Sequence, residues 1–296
     1  MTVQPPVPTN RSLDQVIPQR TRRGRPATAA RLLHCLPFTA VLFLAAFGPL
    51  LTTHSPTDVS GAGSGGPSGT HWFGTDANGL DVYSRVVDAF QLDVVVALVI
   101  TAIATGVGIG LGLVTGMYES RRSFLGFVAR TLARGLDIVQ SIPVMIAGLV
   151  IVSFFGRNVG VITLALAAVI TPFQARLMRT EVLRTRSAGY VDAARMSGES
   201  ESTLLLRHVL PNSWGPTLEN MSTVFAMAII FNAALGFLGA GVPVPTPEWG
   251  SMLALGAPDA AVGRWWPVLF PALALAFSVW AASLVVPVLT ARTVRR

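Results

Sequence analysis

The sequence contains no lysine, and all 22 of its basic residues are arginine. A Walker-type phosphate loop places a lysine on the nucleotide phosphates, so this chain cannot carry that ATP-binding motif. The single cysteine, Cys35, excludes an intrachain disulfide and a multi-cysteine metal site. Neither His-Glu-x-x-His nor Gly-x-Ser-x-Gly occurs, and four histidines lie without ligand spacing: His34, His54, His71 and His208. We therefore expect no catalytic centre, no cofactor site and no metal site in this chain.

Charged residues are also scarce. They make up 12% of the chain, against about 25% in an ordinary soluble domain, whereas hydrophobic residues make up 51%. Six apolar segments have about 20 residues each, enough to cross a hydrocarbon core of ~30 Å. The predicted spans are residues 32–51, 94–117, 135–155, 160–178, 217–238 and 267–289. This pattern predicts an all-α polytopic membrane protein with six transmembrane helices.

The segments outside these spans differ in character. Residues 1–31 are basic and poor in apolar side chains, which predicts a disordered tail. The stretch 60–69, inside the loop 52–89, is rich in glycine and serine and is typical of a flexible linker. Residues 90–290 hold spans two to six and form the predicted core, and residues 291–296 form a short tail.

Span two carries glycines at a regular spacing. They form three Gly-x-x-x-Gly pairs: Gly106, Gly108, Gly110, Gly112 and Gly116. Such pairs let a second helix approach closely in a membrane. The spacing favours helix packing over the alternative, which is a role in a solute path.

The arginines predict the orientation of the chain. Six spans place both termini on one side, and 19 of the 22 arginines fall on that side. Only Arg85, Arg157 and Arg264 fall on the other. Positively charged loops remain in the cytoplasm, so both termini and the loop between spans four and five are predicted to be cytoplasmic. The net charge of +7 therefore needs no nucleic-acid partner.

That cytoplasmic loop, Tyr190 to Asn212, has the pattern of two short helices. The first ends at Gly198, because glycine adopts the left-handed C-cap conformation without steric cost. Ser200 is a favourable cap for the second helix, and Glu201 is a favourable charge in its first turn. Pro211 restricts the residue before it, so we expect the second helix to stop near Leu210.

A helix pair of this kind is able to dock into a groove on a partner protein. The alternative is a purely structural surface loop. An ion-coupled carrier would place acids near the membrane midplane, but Asp93, Asp137 and Glu219 lie near the ends of spans. The sequence therefore favours a partner that supplies energy. A secondary transporter, an intramembrane enzyme and a scaffold remain as alternatives.

Several stretches of the chain resemble a known family. Asp192-Ala-Ala, Gly198 and Leu210-Pro211 resemble the Glu-Ala-Ala loop of ABC-importer membrane subunits. Four further stretches agree: Phe73-Gly-Thr-Asp-Ala-Asn-Gly-Leu-Asp-Val-Tyr-Ser-Arg85, Asp137 through Ile142-Pro143, Ala175–Leu183, and Leu235–Gly250. Together they resemble the C-type subunit of the dipeptide/oligopeptide/nickel permease family over residues 32–289. Two departures are Asp192 in place of glutamate and Leu80 in place of arginine.

The resemblance implies the type I ABC-importer fold in the bacterial plasma membrane. The implied partners are a second homologous permease subunit, two ATPase subunits and an extracytoplasmic solute-binding protein. ATP and Mg²⁺ would be bound by the ATPases and no cofactor by this chain. The implied function is ATP-driven import of di- or oligopeptides by alternating access, with nickel or another non-peptide solute as the alternative. Selectivity would reside largely in the binding protein.

The resemblance also assigns candidate site residues. The predicted ATPase-coupling residues are Tyr190, Asp192, Ala193, Ala194, Arg195, Gly198, Arg207, His208, Leu210 and Pro211. For Asp192, Arg195, Arg207 and His208 the alternative is a solvated side chain. Glu181 is expected to pair with Arg184 or Arg179 and to structure the loop.

The remaining candidates lie in the spans and in the outer loops. Asn220, Asn232 and Pro143 are candidate pathway residues, with interhelical hydrogen bonding and ordinary helix kinks as the alternatives. The candidate contacts to the binding protein are Asp76, Asp81, Arg85, Pro247, Glu248 and Trp249. For Trp249 the alternative is the membrane interface, where tryptophan is enriched.

Overall fold

The computed structural model describes residues 28–285, with side chains from residue 34 onward. The regular secondary structure in this range is helical, apart from one β-bridge that joins Thr75 to Asp81, and the long segments 51–81 and 238–248 are loops. The helices are α1 Thr28–Phe47, α2 Val82–Tyr118, α3 Phe124–Ser141, α4 Val144–Phe155, α5 Val159–Arg186, α6 Gly189–Met196, α7 Glu201–Thr203, α8 Leu210–Glu219, α9 Met221–Phe237, α10 Trp249–Ala261 and α11 Trp266–Ser283. The predicted tails lie outside the described residues at 1–27 and 291–296, whereas Thr28 already belongs to α1.

Helices α2 and α5 form the centre of the fold and pack along their length. A methyl group at Gly112 would lie 2.5 Å from the Cβ of Met178 on α5, and Gly108 and Gly116 contact α5 in the same way. Gly106 and Gly110 face open space. The predicted packing role is therefore confirmed for one glycine face only. Helices α1, α9 and α11 pack around this centre.

Three helices are long and apolar enough to cross a membrane: α2, α5 and α11. Two further spans are possible as bent pairs, namely α3 with α4 and Glu201–Glu219 with α9. The bend is 94° in the first pair and 43° in the second. Residues His34–Leu50 form a shorter apolar helix. The described residues thus contain three to five candidate spans, against six predicted.

The third predicted span is not one straight helix. Helix α3 begins at Phe124, between the predicted spans 94–117 and 135–155, and α4 begins after Pro143. The break lies at Ile142, which has an extended conformation with ψ of 127°. Proline disfavours the helical conformation of the residue before it, so Pro143 ends α3 and turns the chain.

The prediction that the second loop helix stops near Leu210 is wrong. Residues Leu204–Val209 form a π-helical turn, in which the Leu210 N–H donates to the carbonyl of Leu205, and α8 continues from there. Proline normally clashes with the carbonyl four residues earlier. The wider turn just before Pro211 accommodates its ring, and the side-chain amide of Asn212 donates to the carbonyl of His208 at 2.7 Å.

Two predicted loops contain more structure than their composition indicates. Helix α2 begins at Val82, well before the predicted residue 94, because Asp81 caps it through the N–H of Ser84 at 2.8 Å. Residues 60–69 are not a free linker. The N–H groups of Ser60 and Gly61 donate to the carbonyl of Gly79, and the backbone of the loop therefore folds onto residues 75–79. The loop 239–266 contains α10.

Candidate functional site

The connecting loop, defined as residues 190–212, forms the helix-break-helix that its sequence predicts. Helix α6 is followed by Gly198, whose φ of +86° lies in the left-handed region that favours glycine. The Ser200 hydroxyl accepts the N–H of Thr203 and so caps α7. The backbone therefore makes a tight corner with two short helical arms.

An apolar cluster attaches both arms to the ends of the central helices. Val191 of α6 and the π-turn residues Leu204 and Val209 are fully buried. They pack with Met117 at the end of α2 and with Met178 and Val182 of α5. Burial of such side chains contributes roughly 1.5–3 kcal/mol each. The connecting loop is therefore packed directly against the ends of α2 and α5.

Hydrogen bonds and ion pairs reinforce this attachment. The Arg186 guanidinium donates to the carbonyls of Gly116 and Met117 at 3.0 and 2.9 Å, which satisfies the free carbonyls at the end of α2. Arg121, in the turn between α2 and α3, forms an ion pair with Glu201 of α7. The Arg186 contacts thus join the end of α5 to the end of α2, and the Arg121–Glu201 pair joins the connecting loop to the turn after α2.

The loop also has internal pairs. Arg195 contacts Asp192 at 2.7 Å and Glu201 at 3.5 Å. His208 contacts Glu199 at 3.0 Å, and its ring lies 6.5 Å from that of Tyr190. Exposed pairs of this kind contribute little stability on their own. Among these contacts, the Arg195–Glu201 pair joins α6 to α7, and the Tyr190–His208 ring contact joins α6 to the π-helical turn.

The outer face of the connecting loop, defined by the exposed side chains of residues 190–212, is partly apolar. Tyr190 is 49% exposed, Met196 84% and Leu206 64%. The other predicted coupling residues on this face, Asp192, Ala193 and Arg207, are exposed as well. Ala194 instead packs partly against the buried cluster. Large apolar side chains that are exposed together mark interaction surfaces.

Sequence reasoning missed Met196 and Leu206 as members of this face, and Arg121 and Glu201 as its anchor. Leu206 follows two other leucines, so only the helical turn shows which of the three faces outward. Among the predicted residues, Leu210 is partly buried and Pro211 is exposed at the start of α8. Glu181 pairs with Arg184 at 2.7 Å, whereas Arg179 pairs with Glu119.

The predicted pathway residues make contacts between helices. The Asn232 amide is buried and donates to Asp93 of α2 at 2.8 Å. Asn220 donates to Gln174 of α5 at 3.0 Å, and Gln174 donates to Thr105 of α2 at the same distance. Amides inside a membrane need such partners. These contacts agree with the interhelical alternative. Pro143 marks the break between α3 and α4.

The six candidate contacts to a binding protein are all buried in this structure: Asp76, Asp81, Arg85, Pro247, Glu248 and Trp249. Arg85 donates to the carbonyls of Pro56 and Pro245, both at 3.0 Å. Trp249 packs edge-on against Phe90 and donates to the carbonyl of Val86. These side chains organise the loops and offer no surface to a soluble partner or to lipid, which corrects both expectations for Trp249.

Comparison with known proteins agrees with this architecture. Residues 108–296 match the family model described as "Binding-protein-dependent transport system inner membrane component". The probable D,D-dipeptide transport system permease protein of Escherichia coli K12 is 34% identical over 88% of this chain and 88% of its own length. The dipeptide transport system permease protein of the same organism is 35% identical over 82% of this chain and 81% of its own length. A putative peptide transport system permease protein of Brucella suis biovar 1 is 32% identical, with coverage of 83% and 80%.

Solved structures show the same fold at lower sequence identity. An amino acid ABC transporter crystallised with histidines gives a TM-score of 0.55 at 14% identity, covering 72% of this chain and 94% of the other. The inward-facing MetNI methionine ABC transporter gives 0.53 at 18% identity, covering 69% and 96%. The chain therefore belongs to the family of binding-protein-dependent transport system inner membrane components and is a permease subunit of the ABC-importer class.

Proposed function

We propose that this chain forms, with a second homologous permease, the solute pathway of an ATP-driven importer in a bacterial plasma membrane. Six spans would place both termini in the cytoplasm. Two separate ATPase subunits would bind beneath the connecting loop and hold ATP and Mg²⁺. A binding protein would deliver the solute on the opposite side. Closure of the ATPases would then rock the spans between inward-facing and outward-facing states.

The observation that carries this proposal is the attachment of the connecting loop. A coupling element must transmit a displacement and not absorb it. Val191, Leu204 and Val209 are buried against α2 and α5, while Tyr190, Met196 and Leu206 remain exposed at the outer face. A partner that binds the outer face and moves it therefore also moves the two central helices.

We propose di- or oligopeptides as the solute, because the similar curated proteins are named as peptide or dipeptide permeases. The alternative remains a non-peptide solute of the same transporter class. Isolation of the cognate binding protein with its bound ligand decides between them. Recovery of short peptides supports the proposal, and recovery of a metal chelate or another solute would replace the peptide assignment.

Purification of the chain with its genomic neighbours tests the importer mechanism. We expect a complex that contains an ATPase whose hydrolysis rises when binding protein and solute are added. The decisive control is the chain alone in proteoliposomes with a proton gradient and no ATP. Solute accumulation under that condition would show an ion-coupled carrier and overturn the importer proposal.

A further inference from the structure

Three side chains with metal-binding atoms meet beside the start of α2. They are His54, His71 and Asp81, and their ligand atoms all lie within 4.8 Å of one another. The Nδ1 atom of His71 lies 2.8 Å from Oδ1 of Asp81, and the Nδ1 atom of His54 lies 4.0 Å from the same oxygen. The two imidazole rings lie with their centroids 4.7 Å apart.

The fold orients the carboxylate of Asp81 toward the two rings. Asp81 is fully buried, and its Oδ2 accepts the N–H of Ser84 at 2.8 Å. This bond occupies one oxygen in capping α2 and leaves Oδ1 facing the histidines. A hydrogen bond to the other oxygen of a metal-binding carboxylate fixes its orientation. Such supporting hydrogen bonds are common around metal sites.

The histidines are also held in place, and each remains reachable. A methyl group at Gly61 would lie 2.9 Å from Nε2 of His71, so the 60–69 segment packs on the far side of that ring. Thr53 Oγ1 lies 3.1 Å from Nδ1 of His54, and a metal bound at that nitrogen would replace this contact. The side chains of His71 and His54 are 15% and 30% exposed. An ion from solution can therefore approach from the histidine side.

We infer that His54, His71 and Asp81 bind one divalent ion of the late first-row transition series, with Zn²⁺ as its probe. Two imidazole nitrogens and a carboxylate oxygen suit Zn²⁺, and water would complete four-coordination. Mg²⁺ and Ca²⁺ prefer all-oxygen sites and would bind poorly. The ion would replace the hydrogen bond between His71 and Asp81.

Such a site would join separate parts of the chain. Its ligands come from the start, the interior and the end of the 52–81 segment, which also contacts the last two helices. Ser64 donates to Asp259 of α10, and the indole N–H of Trp266 in α11 donates to the carbonyl of Thr75 at 3.1 Å. Bound metal would therefore stabilise the end of the molecule opposite the connecting loop.

Zn²⁺ titration of the full chain tests the inference. The protein would carry no oligohistidine tag, would be stripped with a chelator in detergent, and would be measured by equilibrium dialysis. We expect one Zn²⁺ per chain in the wild type and at least about tenfold weaker binding in His54→Ala and in His71→Ala. His208→Ala is the matched control, because it removes a histidine paired with Glu199 and should leave the affinity unchanged.

Thermal unfolding of the metal-free variants separates loss of binding from loss of folding. His54→Ala is the safer variant, since His54 is the more exposed of the two histidines and lies farther from Asp81. Absence of saturable Zn²⁺ binding to the wild type would overturn the inference. Equal affinity in the wild type and in a folded His54→Ala variant would do the same, as would tight Mg²⁺ binding at the same stoichiometry.

Discussion

The Asp93 carboxylate in α2 accepts the backbone N–H of Trp249 at 3.0 Å, at the first residue of α10. Its other oxygen accepts the amide of Asn232 in α9. One buried side chain thus joins α2 to α9 and α10, which lie far from it in sequence. The contact explains why the segment around Trp249 is folded inward and is not displayed on the surface.

Asp93→Asn is expected to destabilise the protein. An amide keeps the size of the side chain but has one acceptor oxygen and one NH₂ group. Either the Asn232 amide or the Trp249 N–H would therefore point at this NH₂ group and lose its hydrogen bond. An unsatisfied buried donor costs about 1–3 kcal/mol. We expect a lower unfolding temperature in detergent than for the wild type. Asp137→Asn is the control, because it disrupts only an exposed pair with Arg176, and equal unfolding temperatures for the two variants would contradict the prediction.

Local sequence signals predicted the parts of the connecting loop that depend on the backbone. Gly198 and Ser200 are examples, because a left-handed corner and a helix cap need those residue types at those positions. The ends of the second helix were not predictable in this way. Pro211 indicates a stop, but the π-helical turn before it accommodates the ring, and its formation depends on Leu204 and Val209 packing against α2 and α5.

Contacts between distant residues explain the other differences. His54, His71 and Asp81 have no motif spacing, and only the folded 52–81 segment brings them together. Composition predicted a flexible stretch at 60–69, whereas backbone hydrogen bonds to Gly79 order it. The six buried outer residues, including Arg85 and Trp249, were expected at the surface because polar or aromatic loop residues often lie there. Burial of those side chains cannot be read from their types.

The stability of the protein is expected to depend on pH through Glu248, which lies in the loop before α10. Burial, and then the nearby Asp93 charge, raise the pKa of Glu248 from 4.5 to about 8. Between pH 4.5 and about 8, Glu248 is therefore protonated in the folded state and ionised in the unfolded state. Stability should fall as the pH rises from about 5 to 8 and level off above that range.

Glu248→Gln tests this pH dependence. The amide cannot ionise, so its unfolding temperature should change less between pH 5 and 8, and it should exceed that of the wild type at pH 8.5. Glu181→Gln is a suitable control, because that residue belongs to an exposed pair with Arg184. A wild-type unfolding temperature that rises with pH across this window would contradict the assigned direction.

The two glycine faces of α2 provide a matched pair of substitutions. Gly112→Ala places a methyl group against Met178 and the carbonyl of Ala175 in α5. Helices α2 and α5 would have to separate to make room for it. Overpacking of this kind costs about 1–3 kcal/mol. Gly110→Ala meets nothing and should be tolerated. Folded yield and unfolding temperature in detergent measure the difference, and equal values for the two variants would contradict the packing of α2 on α5.

Ala193→Trp tests the outer face of the connecting loop. Ala193 is exposed on α6, so a large side chain there should leave the chain folded but block the proposed ATPase contact. We expect loss of the ATPase from the purified complex and loss of uptake, with normal membrane insertion. Ala193→Ser is the control and should retain both. ATPase recovery at the wild-type level with the Trp variant would remove the assignment of this face as the docking surface.

Substitutions of Gly198 test whether the corner between α6 and α7 transmits motion. Its φ of +86° is inaccessible to proline, which is fixed near −65°, and Gly198→Pro also removes the hydrogen bond from the Gly198 N–H to the carbonyl of Arg195. Asparagine tolerates the left-handed region better than other residues with a side chain. We therefore expect Gly198→Pro to abolish uptake and ATPase stimulation, and Gly198→Asn to retain a substantial part of both. If the Pro variant inserts normally and transports like the wild type, the corner is not part of the coupling path, because an element that can be broken without effect does not carry the displacement.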